Sequence, residues 1–303
     1  VPAWSQTAPP PAAAASATEA TEKNSRSEAQ QLQTVAITAN RRKELAKDVA
    51  GAVSVLGGAR LDELGATGVA DMAAYVPGLV VSGTRTGAQQ IAIRGITTGI
   101  DQTNSTVGMY IDESPVSFNS SYSGGSTLTV DPDPLDIERV EVLKGPQGSL
   151  YGASALGGLV KYVMVSPDLT SFNGRAEIGI NKVSGGGAGN AVRAAINVPL
   201  VTNLLAVRAS AYRREEAGYL DNVASGKTDI NKLNVSGGTI SVLLKPSAAF
   251  NARLTADTQT ITGQDNSTPQ ADVLTLKPAY GSLLNVGWQL PIKTDDAYAK
   301  ARI

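Results

Sequence analysis

Several groups of side chains in this sequence have types and spacings that could do chemistry, and most of them fail on inspection. Asp131, Asp133 and Asp136 suggest a calcium loop, but Pro132 and Pro134 interrupt it and no glutamate stands at the distal ligand spacing. They read as a solvated acidic turn. Glu215 and Glu216 offer a carboxylate pair, yet adjacent residues on a loop make a poor acid/base couple. Gly226-Lys227-Thr228 has the ending of a phosphate loop, but Asp221 occupies the place of the earlier glycine and no strand-to-helix context surrounds it. Gly152-Ala153-Ser154-Ala155-Leu156-Gly157 is one residue too long for a nucleophile elbow. Histidine and cysteine are both absent. Their absence removes the commonest general base, the commonest transition-metal ligand, any thiol nucleophile and any disulfide framework. The expectation is a protein that is not an enzyme, with no catalytic, metal or cofactor site.

What remains is recognition chemistry, and it needs elements to position it. The net charge is −1 and charged residues make up 17% of the chain, which gives no nucleic-acid footprint. No run of about 18 apolar residues occurs, so a membrane role calls for a β-barrel, whose strands alternate and keep ordinary hydropathy. Val1 to Gln6 read as the remnant around a signal-peptide cleavage point. Residues 7–33 are rich in Pro, Ala, Ser, Thr, Glu and Gln and read as a mobile linker that cannot bury enough apolar surface to order itself. Thr34-Val35-Ala36-Ile37-Thr38-Ala39 is β-prone. As an isolated strand it has two unpaired edges and suits addition to a partner's sheet; as an ordinary first strand it simply opens the next domain.

Residues 40–165 predict a mixed α+β domain. Helical spacing runs over 60–75, with Leu61, Leu64, Val69, Met72 and Ala73 on or near one face, and Pro77-Gly78 stops it. Strands are predicted at 90–93, 107–111, 139–143 and 159–163.

From 174 the pattern becomes strict alternation. Ala176, Ile178 and Ile180 face one way, Arg175, Glu177 and Asn181 the other. Similar runs follow around 192–198, 205–212, 240–245, 250–257 and 284–290, with another beginning at 297. Connections at 199–203, 246–249 and 291–296 are short and carry a proline; those at 214–235 and 261–283 are long and polar, and the one at 183–189 is shorter but glycine-rich. Short turns on one side and long loops on the other are the layout of outer-membrane barrels. A soluble secreted binding or adhesion protein with a β-sandwich after 174 is the alternative, and it requires the alternating strands to face a dry core. A chain that stops inside a strand leaves an edge unpaired, so the barrel is expected to be incomplete and the sequence cut short.

These segments resemble the TonB-dependent outer-membrane receptors: residues 34–165 resemble their plug domain, and 174–303 the first strands of their barrel. The family's Pro-Gly-Val element appears as Pro77-Gly78-Leu79, and its Ile-Arg-Gly element as Ile93-Arg94-Gly95. Its Ile-Asp-Gly element appears as Ile111-Asp112-Glu113, with glutamate where glycine is usual. The most specific stretch is Ile137-Glu138-Arg139-Val140-Glu141-Val142-Leu143-Lys144-Gly145-Pro146-Gln147-Gly148-Ser149-Leu150-Tyr151-Gly152, closing with Gly157-Gly158. Arg213-Arg214-Glu215-Glu216-Ala217-Gly218-Tyr219 resembles the family's first long outer loop.

The resemblance implies an α+β plug followed by antiparallel transmembrane β-barrel strands, in a family whose barrels close with about 22 strands. It divides the chain into a signal remnant and linker (1–33), a TonB box (34–39), a plug (40–165) and part of a barrel (174–303). It implies uptake of a scarce solute, siderophore-iron or another large nutrient, across the outer membrane of a Gram-negative bacterium, with the plug facing the periplasm. Partners would be TonB, contacting Thr34, Val35, Ala36, Ile37 and Thr38, together with outer-membrane lipid and the solute. Linker 7–33 is too short for an added N-terminal signalling domain. Glu138, Arg139 and Glu141 are expected to pair with wall residues such as Arg175, Glu177, Arg193 or Arg208, and Gly145, Gly148 and Gly152 to permit turns with positive φ.

Overall fold

The computed structural model describes residues 36–38, 44–45, 48–49, 51–85, 88–97, 105–118, 127–129, 132–152, 154–222, 226–263, 284–285 and 292–302. The chain divides into two compact units, Val1–Val49 and Ala50–Ile303. In the first, β1 (Ala36–Ile37) pairs antiparallel with β2 (Glu44–Leu45), Ala36 opposite Leu45 and Ile37 opposite Glu44. The strand expected to stand alone therefore has a partner on one edge. Thr34 and Val35 lie outside the described residues.

The second unit opens with β3 (Ala52–Gly57), which the sequence reading left out. The helix expected over 60–75 forms as two pieces, α1 (Gly58–Glu63) and α2 (Val69–Ala73). Gly65 adopts φ +59 between them, and the backbone N–H and hydroxyl of Thr67 both donate to Asp71, at 2.7 and 2.9 Å. That local bonding starts a new helix instead of extending the old one. The apolar face is as expected: Leu61, Val69 and Met72 are buried, and Leu64 and Ala73 pack against them.

Next come β4 (Leu79–Arg85), β5 (Ala88–Ile93), β6 (Val107–Ile111), β7 (Ser114–Pro115), β8 (Ser117–Phe118) and β9 (Thr127–Thr129). A 3-10 turn at Pro134–Asp136 leads into β10 (Ile137–Lys144), and α3 (Gly148–Tyr151) separates that strand from β11 (Gly158–Met164). One sheet runs β3-β10-β11-β6-β7, and a second β4-β5-β9-β8. Cross-strand register puts Val140 opposite Leu56 and Tyr162, and Val142 opposite Val160 and Ser54, so one face is apolar but for Ser54 at its edge. With Met109 and Ile111 it packs against α1 and α2 to form the core. A Cβ at Gly158 would lie 2.1 Å from the Leu143 carbonyl oxygen, so only glycine lets β11 start this close to β10.

The remaining strands are longer: β12 (Asn173–Lys182), β13 (Ala188–Val201), β14 (Leu205–Glu216), β16 (Leu233–Leu244), β17 (Ala252–Gly263) and β19 (Ile292–Arg302). They form one antiparallel sheet in sequence order. Two short strands stand apart from it: β15 (Asp221–Asn222) pairs in parallel with β18 (Leu284–Asn285). The run at 284–290 is thus not the sixth strand of the sheet. Of that run, Leu284 and Asn285 bridge two loops and 286–290 lies outside the described residues; the sixth strand passes through the segment read as a turn at 291–296. Five strands and the loop asymmetry otherwise follow the expected pattern, with connections of three and seven residues at 202–204 and 245–251 against sixteen at 217–232.

The two faces of this sheet are inverted relative to a soluble protein. Ile178 and Ile180 are 82% and 85% exposed, and Val192, Ile196, Ile240 and Leu254 are exposed on the same side. Arg193, Asn197, Ser241, Thr255 and Gln259 lie on the buried side. A β-sandwich would bury those isoleucines, so the soluble alternative does not fit.

Candidate functional site

The buried, polar side of the long sheet meets the α+β region along a row of charged contacts. Arg208 Nε donates to Asp136 Oδ1 at 2.7 Å, and Ser210 Oγ donates to the other oxygen at 2.8 Å. Arg193 lies 3.5 Å from Asp133 and 2.8 Å from Glu177. Arg175 pairs with Asp62 at 2.6 Å and also with Glu177. Arg253 donates to Asp112 and, at 2.8 Å, to the Ser166 hydroxyl. Strands β12, β13, β14 and β17 contribute Arg175, Arg193, Arg208 and Arg253, and each of these four finds an aspartate on the α+β region. A further arginine of β14, the buried Arg214, pairs instead with Glu216 of its own strand at 3.2 Å.

Local sequence explains how the aspartates are aimed. Asp133 caps the 3-10 turn by accepting from the Leu135 N–H at 3.0 Å, with Pro134 in the first turn position. The turn then presents Asp136, only 4% exposed, towards β14. Asp112 sits at φ +49 in the β6–β7 turn and accepts from the Met164 N–H at 2.9 Å. Asp133 is 6% exposed. Asp133 and Asp136 are therefore not the solvated turn expected from the sequence, and Asp131 lies outside the described residues. The overlooked signal was Asp-Pro opening a short helical turn just before a strand. Between this turn and β14, β16 and β17 lies a small cleft lined by Asp133, Asp136, Ser210, Tyr212, Thr239 and Asp257.

The expected plug-to-wall partners need correction. Arg139 pairs with Glu141 at 2.8 Å and with Glu138, all on one strand, and Glu141 is fully buried. The wall arginines named from the sequence do make the contacts, but with Asp62, Asp133 and Asp136. Arg139 and Glu141 stand two residues apart on the same face of β10 and so reach each other, while a β-bulge between Ile137 and Arg139 interrupts the alternation just before them.

Six other singled-out residues converge. The Arg94 N–H donates to the Gly78 carbonyl at 2.7 Å, joining the Pro77-Gly78 turn to Arg94-Gly95. Arg94 itself has φ +55, a strained conformation for a residue with a side chain. Its guanidinium lies 3.7 Å from where a Cβ at Gly145 would sit. Burial, and then the Arg94 charge, lower the Lys144 pKa below the usual ammonium value. Gly148 opens α3 and Gly152 closes it with φ +75. The helix presents Tyr151 edge-on to Tyr110, 5.0 Å between ring centroids. The buried Lys161 ammonium sits 5.8 Å over the Tyr151 ring and pairs with Glu113 at 2.6 Å.

These carboxylates are already engaged by cations or backbone N–H groups, an arrangement suited to docking two bodies rather than to proton transfer. Paired charges at a polar interface can be exchanged for water, whereas a dry apolar contact of equal area resists separation.

Residues 46–159 match the TonB-dependent Receptor Plug Domain family. The chain is 29% identical over 196 residues to the pesticin receptor of Yersinia enterocolitica, covering 64% of this chain and 27% of that protein. It is 33% identical over 143 residues to the vitamin B12 transporter BtuB of Vibrio vulnificus, covering 46% and 22%. Among solved structures, the ferripyoverdine receptor of the outer membrane of Pseudomonas aeruginosa superposes with a TM-score of 0.70 at 19% identity, over 88% of this chain and 34% of that one. The chain spans about a quarter of the length of these curated relatives.

Proposed function

We propose, on the premise that this chain belongs to the TonB-dependent receptors and carries their plug with the first strands of their barrel, that the whole protein takes up a scarce solute across the outer membrane. The observation that carries the reading is the junction itself. A sheet with apolar residues turned outward is closed on its inner side by an α+β body held through arginine–aspartate pairs. Such a sheet suits lipid on one face, and such a junction suits a body that must stay seated yet be rearranged by a pull.

In this reading 1–33 is a linker, 34–39 the TonB box, 40–165 the plug and 174–303 the start of the wall. TonB would pair with Thr34, Val35, Ala36, Ile37 and Thr38 by strand addition, either on the edge of β1 that β2 leaves open or by displacing β2. Pro77, Gly78, Arg94, Gly95, Lys144 and Gly145 would hold one joint of the plug, and Asp112 one latch to the wall. Glu138, Arg139 and Glu141 would keep a charged strand satisfied within the plug, while Gly148 and Gly152 delimit the helix behind it. The cargo class is an iron chelate or another nutrient too large for porins, in line with the names of the relatives.

The test is uptake of a labelled ferric siderophore, with vitamin B12 in parallel, by Gram-negative cells expressing the full-length protein, with and without TonB. Accumulation that requires both proteins is the expected result. Accumulation independent of TonB, or of an intact 34–38 segment, counts against the reading.

A further inference from the structure

Eight residues, 165–172, join β11 to β12 and so connect the α+β region to the wall. Their sequence folds them locally. The Asp168 carboxylate accepts from the Thr170 N–H at 2.7 Å, from the Thr170 hydroxyl at 2.6 Å and from the Ser171 hydroxyl. Those bonds, that of Ser171 first, lower its pKa to about 2. The result is a tight turn closed by its own side chains.

The wall then grips this segment, chiefly through Asn197, with Arg253 donating to the Ser166 hydroxyl at 2.8 Å. Asn197 is 1% exposed, in the middle of β13, paired on one side with Asn173 of β12 and on the other with Arg208 of β14. Its Oδ1 accepts from the Asp168 N–H at 2.9 Å, and its Nδ2 donates to the carbonyls of Asp168 and Ser171 at 3.0 and 2.7 Å. The Asn203 N–H, in the β13–β14 turn, donates to the Leu169 carbonyl at 2.9 Å. A side-chain amide offering donor and acceptor together reproduces the pairing of a strand neighbour, and only Asn or Gln can do so. The grip is neutral, buried and fixed in direction. The arginine–aspartate contacts are charge-paired and range from half-exposed at Arg175 to nearly buried at Arg208 and Arg253, so the two kinds of contact differ in charge rather than in burial.

We infer that Asn197 is a positioning residue that clamps the 166–171 segment to the wall and makes it the fixed end of the plug. A pull from the N-terminal side then rearranges the elements held by ion pairs while this end stays with β13. The pulling part of the inference rests on the transport reading; the clamp does not.

The test uses the full-length protein in detergent and amide hydrogen exchange over a peptide spanning 166–173. In the wild type this peptide is protected. Asn197→Leu, which keeps the volume and removes every polar contact, should speed its exchange by at least about tenfold. The plug core at 107–111 should be unaffected. Ser241→Ala, which breaks a buried wall hydrogen bond to Thr255 elsewhere, should leave the 166–173 peptide unchanged. Equal exchange in the wild type and in Asn197→Leu overturns the clamp. If that variant does not assemble, Asn197→Ala carries the same comparison. A second measurement pulls the wild type by a handle at residue 34 in a lipid bilayer: extension that stops short of 166 supports the fixed end, and release of 166–172 together with the plug overturns it. Neither readout uses cargo or TonB, so a failure of transport leaves both interpretable.

Discussion

The plug core and the wall sheet are both built of strands rich in apolar residues and put them to opposite use, β6 and β11 being buried almost throughout and the wall strands on one side only. In β6 and β11 the apolar side faces other apolar side chains, and Ile111 and Tyr162 are fully buried. In the wall the apolar side faces outward, leaving Ile178 and Ile180 of β12 almost completely exposed, while the polar side is buried farther along the sheet, at Asn197, Ser241, Thr255 and Gln259. Period two therefore encodes a two-faced strand, and the surrounding medium decides which face is the inside. Where the two bodies meet, among the described residues, charge pairs make much of the joint.

Putting the same charge on each body tests this contrast most sharply. Ile111→Arg places an unpaired cation in the packed core, a loss of more than about 4 kcal/mol that should abolish protease resistance over the plug. Arg208→Ala attacks the joint. It strands the nearly buried Asp136 with only Ser210 and should destabilise the assembled protein by about 3–5 kcal/mol, read from urea unfolding of the full-length protein. An unchanged midpoint would mean that water already shares that carboxylate.

Ile178→Arg should leave the plug as resistant as in the wild type yet disfavour the bilayer-inserted form by about 2–4 kcal/mol, if that position lies near the midplane. Equal insertion would break the claim that this face meets lipid. Arg175→Ala removes a pair whose arginine is 49% exposed, so the cost should stay below about 1 kcal/mol and shrink further at high salt. The smallest effect is one of pH. The Asp168 carboxyl titrates at about 2 when folded, against an ordinary value of 3.8. Its contribution is therefore complete above about pH 4 and disappears as the pH falls towards 2. Protection of 166–173, taken relative to the intrinsic amide rate at each pH, should fall in that window in the wild type and show no such step in Asp168→Asn.

How much of this was legible in the sequence varies with the distance over which each feature is decided. Strands 107–111, 139–143 and 159–163 and five of the six wall strands announce themselves by β-branched residues and alternation, which are local properties. The motif residues Arg94, Asp112, Lys144 and Gly145 stood out by type and spacing, and several of them do converge. The break in the first helix was missed because Leu61 to Ala73 keeps its apolar face across Gly65, so periodicity carried on where backbone bonding to Asp71 did not. The run at 284–290 misled because alternation says that a strand can form, not which strand it will join.

By itself, then, the sequence determined the alternating strands, the short and long connections, the absence of imidazole and thiol chemistry, and the arginines on the polar face of the wall. The tertiary structure alone decided what those arginines touch. Glu138 and Glu141 were the expected acceptors, yet both pair with Arg139 of their own strand, and the wall arginines meet Asp62, Asp112, Asp133 and Asp136. It also decided that Asn197 holds the connecting segment. The physical reason is common to both. A side chain's type is written at its own position, but its partner is fixed by register and chain crossing between segments up to 141 residues apart. No local pattern encodes that distance.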